Sequence, residues 1–219
     1  MPPSYYEWLK HVFDRPTTEI GWYFDVENAH FDADDIELSI LITHTLENCG
    51  KDLRAFSNSQ INHGLKYIFN NTCSNIVFVL ISDDVPAEIR LRAIDSIKIL
   101  YKDCFAPRCA PVLGHINELG SNPINEICYM LWDVSPLSWR EEKRSPEREI
   151  FYNAVIDVLE EALSSNNPAC VESALHGLGH IQSSCIERVT EVVTNYLKKV
   201  SVSTQLTTYA KQAILGNVQ

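Results

Sequence analysis

Residues 159–181 read LEEALSSNNPACVESALHGLGHI, and the order of their parts decides the fold class. An apolar helix face ends at Leu163, the polar residues Ser164, Ser165, Asn166 and Asn167 turn the chain, and Pro168 holds a backbone angle suited to the first turn of a new helix. Upstream, Ser145-Pro146 opens the clearest helix of the chain. Ile150, Phe151, Ala154, Val155, Val158, Leu159, Ala162 and Leu163 recur in pairs four apart, which predicts that they face inward. Glu147, Asn153, Asp157, Glu160 and Glu161 occupy the opposite face.

The same opening recurs earlier. Asn122-Pro123 and Asp84 with Pro86 each follow an apolar helix end and a short polar turn, and the three prolines stand 37 and 45 residues apart. A unit of roughly 40 residues is the length expected of HEAT and armadillo arrays. The quoted stretch, with its small residues and its Leu-Gly placement, resembles a HEAT repeat, and residues 78–100 are similar to it. The middle unit departs from the pattern, because Glu126 falls where its neighbours place Ile89 and Val171, and Trp132 and Asp133 replace small residues. The resemblance covers about half the chain. It implies an all-α fold, a short right-handed stack of antiparallel helix pairs forming a HEAT-like superhelix, and a binding style rather than a reaction. Deoxyhypusine hydroxylases of this type carry His-Glu dipeptides, and none occurs here. HEAT-like DNA glycosylases need a basic face, which this acidic chain does not offer. Phycobilin lyases with such repeats find no identifying residue set in this sequence.

The remaining helices follow from local punctuation. Ser4 and Glu7 fit a capping box for a helix ending at Phe13, and residues 17–33 read as loop. A helix over residues 34–49 turns Leu38, Leu41, Ile42 and Leu46 inward and stops at Gly50. Ser57 and Gln60 form a second capping box, ahead of Ile61, Leu65, Ile68 and Phe69. Residues 73–81 are short, apolar and rich in Val and Ile, and they are assigned to helix because a lone strand would leave its backbone unpaired. Ser184 and Glu187 suggest a helix with Ile186, Val189, Val193, Tyr196, Leu197 and Val200 inside, and a last helix covers residues 203–215. The organisation expected is an N-terminal segment over 1–56 and helical repeats over 57–219, packed as one domain.

Composition bounds the function. Hydrophobic residues make up 45% and charged residues 21%, ordinary for a globular chain, and the longest apolar run, Ile76 to Ile81, is too short to cross a bilayer. The start, Met-Pro-Pro-Ser-Tyr-Tyr-Glu, lacks the basic and apolar segments of a secretory signal, so a cytoplasmic location is expected, with no membrane partner. Seven scattered cysteines without metal-site spacing read as buried thiols, and only Cys104 and Cys109 lie close enough in sequence to suggest a bridge. A net charge of −11 argues against nucleic acid, whose phosphates need Lys and Arg.

Three candidate sites emerge. Between Arg15 and Lys51 there is no lysine or arginine, while Glu19, Asp25, Glu27, Asp32, Asp34, Asp35, Glu37 and Glu47 fall there, interleaved with Trp22, Tyr23, Phe24 and Phe31. This segment reads either as a cap folded over the first helices or as a surface for a basic protein or peptide, and the two readings are compatible. Trp132, Asp133 and Trp139 surround Pro136 and read as groove lining or as packing at a helix junction. Glu172, His176 and His180 recur every fourth residue and share one helix face, read here as polar and solvated, with shared zinc as the alternative. Gly177 and Gly179 loosen that helix and weaken the zinc reading. No nucleophile elbow, phosphate loop or dinucleotide fingerprint occurs, and glycines number only eight. The sequence thus predicts a non-enzymatic interaction module without cofactor or bound metal. An immunity-type inhibitor of a basic toxin or nuclease, and a metal protein or enzyme built on Glu172, His176 and His180, are the alternatives.

Overall fold

The computed structural model describes residues 3–17, 21–25, 27, 30–139, 145–198 and 203–218. Among them every regular element is helical and no strand occurs. In chain order the α-helices are α1 (Pro3–Phe13), α2 (Asp35–Glu47), α3 (Cys49–Asp52), α4 (Asn58–Phe69), α5 (Ala87–Ile99), α6 (Ala106–Arg108), α7 (Pro123–Val134), α8 (Pro146–Ala162), α9 (Pro168–Ile181), α10 (Ile186–Leu197) and α11 (Thr204–Ile214). None of the described helices is long and apolar enough to cross a membrane.

Most helix starts obey the local rules. Asp34, Asn122, Ser145, Asn167 and Ser203 each accept a backbone N–H from the first turn of the helix they open, and Ser57 and Gln60 close a reciprocal capping box. Four expectations are corrected. α1 begins at Pro3, which puts Ser4 inside its first turn. Pro86 itself is the N-cap of α5, so Asp84 does not cap it, and Cys185 rather than Ser184 precedes α10. Gly50 does not end α2 either, for the chain continues into α3. Two residues assigned to the inside, Ile150 and Ile186, are exposed, while Val200 and Glu19 lie outside the described residues. The ambiguous apolar run forms a 3-10 helix, Ile76–Leu80, with Val77, Val79 and Leu80 buried.

Two series of helices make successive contacts. α1, α4, α7, α9 and α11 pack each against the next, and α2, α5 and α8 do likewise, with α10 beside α8, α9 and α11. One continuous set of buried side chains joins them, from Tyr5 and Trp8 in α1 to Ala213 in α11. The three prolines are not equivalent in this arrangement. Pro123 and Pro168 open α7 and α9, which are direct neighbours, whereas Pro86 opens α5 in the other series. The 45-residue interval therefore spans two helices, α7 and α8. The 37-residue interval holds α5, α6 and a long loop.

α5 does not stop at Ile99. It widens into a π-helical segment, Leu100–Phe105, and runs on into α6, with Ala106 N–H donating to the Tyr101 carbonyl five residues back. Pro107 follows at once. Proline has no N–H to continue an α-helix and its ring crowds the carbonyl four residues earlier, so the wider turn ahead of it relieves both problems.

Glu126, the outlier of the middle unit, has a structural role. Its carboxylate takes Lys66 Nζ at 2.6 Å and Asn62 Nδ2 at 3.1 Å, tying α7 to α4.

Candidate functional site

The polar face of α9 is not solvated. Glu172 is 1% exposed and His176 2%, because α7, α11 and the loop from Cys109 to Ser121 cover it. Both glycines lie within the helix, and Gly177 serves packing: a Cβ there would stand 2.7 Å from Trp132 Cγ and from Leu159 Cδ2. Trp132 lies against the helix at that point.

Glu172 holds the loop. Its Oε2 accepts the Gly114 N–H at 2.7 Å, and its Oε1 accepts the His115 N–H at 2.9 Å and pairs with His115 Nδ1. Three asparagines tie down the rest. Asn122 Nδ2 donates to the Arg108 carbonyl, Asn125 bonds both backbone groups of Ala110, and Asn167 Nδ2 reaches the carbonyls of Ala106 and Cys109. The His115 ring, so fixed, stacks on Tyr209 of α11 with centroids 4.2 Å apart. A cavity of about 280 Å³ lined by Gly114, Asn125, Tyr129 and Glu172 opens beside this arrangement.

Tyr209 links Glu172's neighbourhood to the histidines. Its hydroxyl lies 2.6 Å from His176 Nδ1 and 3.2 Å from the Tyr129 hydroxyl. Beyond it, His176 Nε2 faces His180 Nε2 at 3.0 Å, and His180 Nε2 lies 3.2 Å from Asp133 Oδ1. Burial above all, with the Tyr129 hydroxyl nearby, pushes the Tyr209 phenol up, so it keeps its proton. Burial, and after it the charges of His180 and His115, hold His176 down to about 3. His180 is lowered by burial, with Asp133 opposing.

A pH dependence follows with a definite sign. His176 is neutral in the fold down to about pH 3, whereas unfolded it takes a proton near 6.5. Between those values the unfolded state binds more protons, so stability falls as pH drops, by up to about 1.4 kcal/mol per pH unit from this group. His180 acts in the same direction. Urea midpoints measured from pH 7 to 4 should fall accordingly, and His176→Gln, which keeps a polar group for Tyr209, should flatten the decline. An equal slope in that variant would reject this assignment.

The structure gathers the sequence candidates differently from expectation. Asp133, foreseen beside Trp132, meets His176 and His180, and Glu172 turns away to the loop. Trp132 is fully buried, its Nε1–H donating to the Tyr101 hydroxyl at 2.8 Å, so it cannot meet a partner. Trp139 is exposed and contacts Phe78 edge-on. The two indoles do not line a common groove. Trp22 and Tyr23 are buried, with Trp22 against His11 and Tyr67 and under Arg15, and Tyr23 beside His63. They cover α1 and α4, leaving Phe24, Asp25, Glu27, Asp32, Asp34 and Asp35 exposed. His115, Tyr129 and Tyr209 escaped sequence reasoning. None stands in a motif, and Tyr209 is 33 residues from its partner His176.

The cysteines are all free. Cys109 has Cys128 and Cys170, rather than Cys104, as its hydrogen-bonding thiol neighbours. Burial pushes the Cys104 thiol up to about 12, as expected of inert core sulfur.

Comparison with known proteins finds no family model, curated protein or solved structure that matches this chain.

Proposed function

We propose that this protein is a non-enzymatic interaction module, a short right-handed stack of antiparallel helix pairs of the HEAT kind that binds a basic protein or peptide through its acidic N-terminal face. The observation that carries this reading is the company of exposed apolar and acidic side chains between Phe24 and Ile40. Phe24 is 57% exposed, Ile36 41% and Ile40 51%, and Asp25, Asp32, Asp34 and Asp35 are exposed among them. No lysine or arginine interrupts the sequence from residue 16 to 50. Apolar side chains supply contact area once desolvated, and a field of one sign steers a partner of the other.

Lys/Arg-rich peptides, titrated against the full chain by fluorescence anisotropy, test the proposal. Binding should weaken about tenfold or more between 0.1 and 0.5 M salt, where the screening length falls from about 10 Å to less than half that. It should be lost in the triple variant Asp25→Lys, Asp32→Lys, Asp35→Lys, which spares the helix cap Asp34. Absence of binding, or binding indifferent to salt and to the charge reversal, would defeat the reading.

A further inference from the structure

We propose that Asp133, His176 and His180 form a binding site for a divalent transition-metal ion of the zinc type, a site independent of the acidic N-terminal face. Two helices build it. His176 and His180 lie one turn apart on α9, and Asp133 comes from the last turn of the adjacent α7. One donor atom from each residue falls within 4.8 Å of the other two.

The spacing suits an ion. Zinc binds imidazole nitrogen at about 2.0–2.1 Å and carboxylate oxygen at about 2.0–2.2 Å, so ligand atoms on a tetrahedral ion stand roughly 3.2–3.5 Å apart. His176 Nε2 to His180 Nε2 is 3.0 Å and His180 Nε2 to Asp133 Oδ1 is 3.2 Å, a few tenths of an ångström from that edge. Without an ion, the contacts are poorly served. Two imidazole nitrogens at 3.0 Å need one proton between them, and Asp133 draws the same His180 proton. A single N–H cannot point along both lines, whereas a cation accepts a lone pair from all three atoms.

The surroundings prepare the ligands. His176 Nδ1–H donates to the Tyr209 hydroxyl, which leaves the Nε2 lone pair facing Asp133 and His180; Tyr209 thus plays the outer-shell role that fixes a histidine tautomer at metal sites. The Tyr209 proton is in turn free to reach Tyr129, 3.2 Å away. Imidazole nitrogen with one carboxylate favours Zn²⁺, Ni²⁺ or Cu²⁺ over Mg²⁺ or Ca²⁺, which prefer all-oxygen sites. His176 is buried at the back of the site, while the His180 and Asp133 side chains are 29% and 40% exposed. The ion therefore enters from the solvent side, where water completes its coordination.

The full chain, prepared without a histidine tag, stripped with chelator and kept reduced, would be titrated with Zn²⁺ by calorimetry and with Co²⁺ by visible absorption at pH 7.5. One equivalent should bind, with the absorption of a nitrogen- and oxygen-ligated cobalt ion. Asp133→Asn and His180→Ala should each weaken binding by more than tenfold. Tyr209→Phe, which keeps the ring, should weaken it about 10–100-fold through the lost outer-shell bond. His176→Ala would cut into the core, so the decision rests on the two exposed ligands, with circular dichroism confirming that each variant is folded. No binding of either ion, equal affinity in folded Asp133→Asn and His180→Ala, or a thiolate–cobalt band that places the ion among Cys109, Cys128 and Cys170 would each overturn the proposal.

Discussion

Glu172→Ala is expected to lower the unfolding free energy by about 3–5 kcal/mol, the range for breaking a buried charge pair by removing one partner. The glutamate is 1% exposed and its carboxylate is the acceptor for the backbone N–H groups of Gly114 and His115 as well as for the His115 ring. Alanine removes all three contacts at once. Each backbone donor left buried without an acceptor costs about 1–3 kcal/mol, unless the loop swings out to water. Swinging out has its own signature. Amide exchange at Gly114 and His115 should accelerate by orders of magnitude, while α2 and α5, which pack elsewhere, should exchange as before. A urea titration that shows less than about 1 kcal/mol of loss would mean that the loop is held mainly by Asn122, Asn125 and Asn167.

The second large effect is expected at Trp132. Its ring is wholly buried, and Gly177 of α9 gives it room, since any Cβ at that glycine would collide with the indole. Trp132→Ala should cost about 3–5 kcal/mol, through lost transfer energy and the cavity left between α7, α8 and α9. For a chain of this length that corresponds to a fall in melting temperature of roughly 6–20 °C. The indole N–H also donates to Tyr101, whose hydroxyl pairs with Ser173 at 2.6 Å, so the variant disturbs a buried polar chain as well as packing. Trp132→Phe, which refills most of the volume but restores no donor, separates the two contributions. If alanine and phenylalanine variants melt alike, the hydrogen bond rather than the cavity dominates.

The two positions mark where sequence reasoning ended. Helix starts at Asn122, Ser145, Asn167 and Ser203 were legible because a cap and a proline act within four residues, a range that sequence displays directly. The inward faces of α2 and α4 were legible for the same reason, through periodicity. The fate of the face bearing Glu172, His176 and His180 was not. Spacing shows that three side chains share a face, but only the tertiary fold shows what covers it, and the cover comes from Gly114, Asp133 and Tyr209, each far away in sequence. A face rich in His and Glu looks solvated until its partners are known. Asp133 illustrates the same limit, since nothing local connects it with a histidine 47 residues later. Trp22 and Trp132 were singled out as surface aromatics, and both proved to be core, because a large indole gains more from burial than an exposed position offers.

The π-helical segment between α5 and α6 restricts how this chain can change length. Removing a single residue from Leu100–Phe105 would restore ordinary helical winding and rotate everything beyond it by about 100°, with a shift of about 1.5 Å along the axis. Arg108 lies just past that point, and its guanidinium donates to the carbonyls of Leu53 and Phe56 and to Asn58 Oδ1. After such a deletion it would point elsewhere, and the turn before α4 would lose its clasp. Insertions and deletions should therefore be rejected here even though Lys102 and Asp103 are exposed and freely substitutable in type. In any set of descendants of this gene, residues 100–108 should vary in letter and never in number.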